Sequence, residues 1–118
     1  MQYIEPDDIY KYVEKEGRKK WNKTLIIDAR ESYEYNNGHL KGSVNMPVVL
    51  IREQYNIIQI EQNDIIICYS QDSKQRGPYA AQLIKSLYPL KEVFVVKNGL
   101  NNILETIPFQ YNDLSAWM

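Results

Sequence analysis

Asp64-Ile65-Ile66-Ile67-Cys68-Tyr69-Ser70 runs into Gln71-Asp72-Ser73-Lys74-Gln75-Arg76-Gly77-Pro78, an apolar stretch that breaks into a polar loop. Ala80, Ala81, Leu83, Ile84 and Leu87 follow at helical spacing, which predicts a helix over 77–87. A strand–loop–helix of this kind aims backbone N–H groups, and the positive end of the helix dipole, at one spot. Arg76 at the end of the loop adds a two-pronged guanidinium for the same anion. An oxyanion cradle is therefore expected over 70–76. What it lacks is a nucleophile. The single cysteine, Cys68, lies inside the strand, and Ser70 stands at its tip. Strand length favours a tip at 70, because Asp64 to Tyr69 is six residues, a usual length. A nucleophile at 68 would shorten the strand to four residues and place seven between itself and Arg76, too wide a loop to wrap one phosphate.

Working outward, Thr24 to Ala29 (TLIIDA) and Glu92 to Val96 (EVFVV) are further β-branched apolar runs and read as buried strands. Val44-Asn45-Met46 reads as a short strand stopped by Pro47. Pro6-Asp7-Asp8 opens a predicted helix with Ile9, Tyr12 and Val13 on one face, ended by Gly17. Glu31 to Asn37 reads as a short helix closed by Gly38, Pro47 to about Ile60 as a weak helix, and Leu100 to Glu105 as a helix after the Asn98-Gly99 turn. Continuous apolar strands separated by helices imply an α/β fold with a mostly parallel sheet covered on both faces. Such sheets bind ligands beyond the carboxyl ends of their strands, here at Asp28-Ala29-Arg30 and at Ser70 to Arg76.

The 118 residues make one domain, 1–118, with no repeat, linker or low-complexity segment. Lys and Arg total 14 against 15 Asp and Glu, so no overall field draws the chain to nucleic acid or to a membrane. Arg18, Lys19, Lys20 and Lys23 cluster, and read as a solvated connector in preference to a docking patch for an acidic partner. One cysteine allows no internal disulfide, which fits a reducing compartment. No apolar leader or bilayer-length run is evident, so an intracellular protein, cytoplasmic or nuclear, is expected. The oligomeric state is not legible.

Thr24 to Pro47, TLIIDARESYEYNNGHLKGSVNMP, resembles the first signature of the rhodanese superfamily, most of all its branch of M-phase inducer phosphatases. The matching residues are Asp28, Arg30, Glu34-Tyr35, Gly38-His39-Leu40, Gly42, Asn45 and Pro47. The second signature of that branch is a cysteine, five residues, an arginine and Gly-Pro; counted back from Arg76 it lands on Ser70. Tyr69 stands where the family often has histidine, and Val95-Val96-Lys97-Asn98-Gly99 is similar to the family's third strand and turn. The resemblance implies a single rhodanese-like domain with a central, mostly parallel sheet of about five strands and helices on both faces. It implies hydrolysis of phosphate monoesters, on phosphotyrosine or phosphothreonine of a protein, with no cofactor and no metal. Asp28 and Arg30 would form a buried structural pair, and His39 would be structural.

In such an enzyme a cysteine thiolate, its pKa lowered from about 8.5 by the amide cradle, attacks phosphorus. Serine there keeps the anion grip and loses the nucleophile, since its hydroxyl has no adjacent base. Gln71, Asp72, Ser73, Lys74, Gln75 and Arg76 are the expected substrate-binding residues, and Asp72, the only loop carboxylate, is the candidate general acid. Cys68 is expected to be a buried small hydrophobe, with a resolving thiol as its alternative role. Ser70 reads as a deliberate cysteine-to-serine change, which would let the domain bind its target without turning it over, the intact Arg76 arguing against a natural non-catalytic phospho-binding pseudoenzyme. An arsenate reductase and a thiosulfate sulfurtransferase are the rival chemistries on the same scaffold, the second disfavoured by loop length.

Overall fold

The computed structural model describes residues 2–13 and 24–112. Five parallel strands form the central sheet: β1 (Gln2–Ile4), β2 (Thr24–Asp28), β4 (Ser43–Asn45), β5 (Ile65–Tyr69) and β6 (Glu92–Val96), in the order β1-β6-β5-β2-β4. A separate antiparallel pair joins β3 (His39–Leu40) to β7 (Tyr111–Asn112). The helices are α1 (Ile9–Val13), α2 (Ser32–Asn37), α3 (Gln54–Glu61), α4 (Arg76–Leu87) and α5 (Gly99–Thr106). The α/β architecture with a parallel sheet is the one expected.

The two faces follow from side-chain alternation along each strand. Ile66 and Cys68 of β5 join Leu25, Ile27, Val93 and Val95 under Ala80, Ala81 and Ile84 of α4. Ile65, Ile67 and Tyr69 face the other way, against Ile26, Phe94, Val96 and α5's Leu100 and Ile103. All five β5 residues are buried, so burial on both faces explains a run without alternation. Each buried aliphatic side chain contributes about 1.5–3 kcal/mol.

Three expectations are corrected. The stretch read as one weak helix over 47–60 is a 3-10 turn at Val48–Leu50 followed by α3, with Glu53 extended between them. Asn56, buried at α3's start, donates its side-chain amide to the Leu50 carbonyl at 2.8 Å and fixes the break. The strand read over Val44–Met46 starts one residue earlier, at Ser43, and Met46 is core. After Pro6 a 3-10 turn precedes α1, which buries Ile9; the Tyr12 and Val13 side chains and the Gly17 stop lie outside the described residues. So do Arg18, Lys19, Lys20 and Lys23. Among the described residues no helix is long and apolar enough to cross a membrane.

Candidate active site

The loop leaves β5 at Ser70 and is tied down before it turns. The Ser70 carbonyl accepts from the Leu100 N–H at 2.9 Å, and the Gln71 carbonyl from the Asn101 N–H at 3.0 Å. Both donors belong to the first turn of α5, whose N–H groups have no partner inside the helix. Gly99 permits this approach. Its φ is +56°, and a Cβ there would run into the Ser70 carbonyl and lie 2.8 Å from the Ser73 nitrogen. Gly99→Ala is therefore expected to cost about 1–3 kcal/mol, read by urea denaturation; unchanged stability would show that the loop yields freely.

Within the loop, Ser73 adopts a left-handed conformation, φ +54°, and its Oγ accepts from the Ser70 N–H at 3.3 Å. Asp72 is exposed, and its Oδ1 accepts from the Lys74 N–H at 3.0 Å. Gln71 is held at both ends of its amide: Oε1 accepts from Arg30 Nη1 at 3.3 Å, and Nε2 donates to Asn101 Oδ1 at 2.8 Å. Ser70 is almost fully buried, and its Oγ accepts from the Gly77 N–H at 3.0 Å, in the first turn of α4. Gly77 has no side chain to crowd that oxygen; a Cβ would stand 3.1 Å from it. The backbone N–H groups of Gln71, Asp72, Ser73, Gln75 and Arg76 donate to no acceptor among the described residues.

Cys68 is excluded from this constellation by geometry. Its side chain is wholly buried in the core beneath α4, and burial pushes its thiol up to about 12. A thiolate is not accessible there at neutral pH.

A buried polar network supports the loop from behind. Arg30 grips Asp28 side-on, Nη2–Oδ2 2.8 Å and Nε–Oδ1 3.1 Å, and also donates to the Gly38 carbonyl at 2.7 Å. The Tyr69 hydroxyl donates to Asp28 Oδ2 at 2.8 Å and accepts from the Leu40 N–H at 3.1 Å. Burial works against the charge on Arg30, but Asp28 beside it outweighs that and holds the guanidinium above its ordinary range. Burial, then the Asp28 charge, pushes the Tyr69 phenol up, so it stays a neutral donor. His39 stacks on Tyr35 with ring centroids 3.7 Å apart, and its Nδ1 donates to the Tyr35 carbonyl at 2.9 Å. Ser70 bonds to Gly77, Ser73 and Leu100, and not to His39.

Arg76 does not lie free over the loop. Its Nη1 is 2.6 Å from Glu34 Oε1 and its Nη2 3.4 Å from Oε2, with the arginine side chain 39% exposed. The bond to Arg76 holds the Glu34 carboxyl below its ordinary range, and Glu34 in turn raises Arg76. Sequence reasoning noted Glu34 only as a signature residue and missed this partnership. The two residues are 42 apart in the chain, and only the sheet order brings α2 beside the start of α4.

The chain is 25% identical over 124 residues to M-phase inducer phosphatase 2 of Rattus norvegicus, covering 92% of this chain and 21% of that protein. Across the first curated relatives it spans only 10–21% of their length. Its fold is similar to the As-Sb reductase from Leishmania major, with TM-score 0.72, 21% identity, and 92% and 79% of the two chains covered. It is also similar to a yeast protein tyrosine phosphatase of the rhodanese family, with TM-score 0.64, 18% identity, and 89% and 85% covered. The rhodanese-like domain family matches residues 6–106, and the chain belongs to that family.

Proposed function

We propose that this domain is a cysteine-phosphatase-type site in which Ser70 occupies the nucleophile's position. It binds the phosphate of a phosphomonoester, a phosphotyrosine or phosphothreonine of a protein, without turning it over. The observation that carries the reading is the Gly77 N–H donating to Ser70 Oγ at 3.0 Å, beside a loop whose remaining amides are unpaired among the described residues. The atom at position 70 thus faces a helix N-terminal donor, the setting that lowers a thiol's pKa and holds oxyanions.

With sulfur at that atom the site has a thiolate nucleophile. The thiolate forms an S–P bond while the ester O–P bond breaks. The leaving oxygen takes a proton, for which Asp72 is the loop's candidate donor, and water then cleaves the S–P bond to release phosphate. The unpaired amides and Arg76 carry the charge of the transferring oxygens. Ser70 Oγ is bonded to an amide donor and to no base, so the hydroxyl does not enter this sequence. The intact loop and the retained Arg76 support a deliberate cysteine-to-serine change over a decayed pseudoenzyme.

The test is Ser70→Cys, assayed with an aryl phosphate, with arsenate plus glutathione, and with thiosulfate. Phosphate release from the variant and not from the parent is expected. Turnover of arsenate alone would move the domain to the chemistry named for its Leishmania neighbour, and turnover of thiosulfate alone to sulfur transfer. No turnover of any would overturn the enzyme reading and leave a binding module.

A further inference from the structure

Resting on the oxyanion reading of the 70–76 loop, we propose that Glu34 is a built-in competitor for Arg76 that determines which anions the loop admits. Tetrahedral dianions displace it, and carboxylates do not.

Glu34 presents its two oxygens to the two terminal nitrogens of Arg76, at 2.6 and 3.4 Å. Two oxygens of a phosphate or sulfate match the same planar fork, so an entering anion and Glu34 contend for the same donors. Glu34 is well placed to contend. It is the third residue of α2, and its Oε1 also accepts from the Glu31 N–H at 3.1 Å in a reciprocal capping arrangement. A group fixed in this way acts at a high effective concentration. A free carboxylate offers Arg76 nothing that Glu34 does not already supply, and binding it would leave Glu34 without a cation. A tetrahedral dianion brings a second charge and further oxygens to offer the loop's N–H groups, of which those of Gln71, Asp72, Ser73 and Gln75 have no acceptor among the described residues. Those groups lie on the loop, and no atom of Glu34 bonds to them. The amides supply the difference that displaces Glu34.

The arrangement also leaves the loop without a free guanidinium. Arg76 is the loop's one guanidinium, and Glu34 pairs with it. Arg30 is committed to Asp28, Gly38 and Gln71.

Sulfate and acetate binding to the chain as it stands, to Glu34→Gln, to Arg76→Gln and to the double variant, followed by calorimetry, test this. Glutamine keeps the side-chain length and an oxygen for the Glu31 N–H, so α2 retains its cap. Sulfate is expected to bind Glu34→Gln about three- to fivefold more tightly than the parent, the factor that coupling in a half-exposed ion pair supports. Acetate is expected to compete with sulfate in that variant and not in the parent. In the Arg76→Gln background the added Glu34→Gln change is expected to do nothing. A sulfate affinity unchanged or weakened by Glu34→Gln overturns the competitor role and leaves the loop reading standing. A gain that persists without Arg76 also overturns it, as a general charge effect. Sulfate binding by neither parent nor Glu34→Gln overturns both the competitor and the oxyanion loop.

Discussion

Asp28→Ala is expected to cost about 3–5 kcal/mol of folding stability, the range for breaking a buried ion pair from one side. Asp28 is completely buried and accepts from the Arg30 backbone and side chain and from the Tyr69 hydroxyl. Removing its carboxylate leaves a guanidinium that is 5% exposed with only neutral acceptors, the Gly38 carbonyl and Gln71 Oε1. An uncompensated buried charge costs far more than the pair contributes. The double change Asp28→Leu with Arg30→Met is expected to recover much of the loss, since the charge leaves with its partner. Recovery should be incomplete, because Arg30 also secures Gly38 and Gln71. Urea denaturation at neutral pH measures both variants. An Asp28→Ala loss below about 1 kcal/mol would mean that water or rearrangement satisfies Arg30, and the network would not be the loop's support.

That network shows where sequence reading succeeds and where it stops. The runs ending at Asp28, Tyr69 and Val96 were legible as central strands, because burial on both faces writes an unbroken apolar stretch. β1 and the β3–β7 pair were not, because strands of two or three residues carry no periodicity. The break before α3 escaped notice because Val48 to Ile60 is apolar enough to pass for one helix, while the restart depends on Asn56 reaching back to Leu50. At the site, the loop's register could be counted back from Arg76 because the loop is local in sequence. The supports of that loop are not local. Gly99 beneath Ser70, Arg30 on Gln71 and Glu34 on Arg76 depend on which strands are neighbours, and spacing along the chain does not record that.

The thiol introduced by Ser70→Cys is expected to have a pKa in the range of about 3.5–7.5 that helix N-terminal thiols show, below the ordinary value of about 8.5. The atom at that position receives the Gly77 N–H, and the first turn of α4 directs its dipole at it. A Cβ at residue 77 would stand 3.1 Å from the Ser70 oxygen, so glycine there keeps the donor open to the side chain at position 70. At pH 7 an ordinary thiol is about 3% ionised, whereas one with a pKa near 6 is about 90% ionised. Lower intrinsic nucleophilicity cancels all but about two- to threefold of that gain in alkylation rate, and position 70 is almost fully buried, so the thiolate is followed by its ultraviolet absorbance across pH, as the difference between Ser70→Cys and the parent. The parent provides the control. Cys68 is wholly buried with its thiol pushed up to about 12, so the folded parent should show no thiolate near neutral pH. Stability gives a second readout. A folded pKa below the unfolded one means the thiolate's contribution is fully present above about pH 8.5 and is lost as pH falls through the folded value. Ser70→Cys should therefore gain on the parent as pH rises through that window. A thiolate midpoint at or above about 8.5 would show that Gly77 and α4 do not favour a negative charge at position 70. The phosphatase reading would then lose its nucleophile even with sulfur in place.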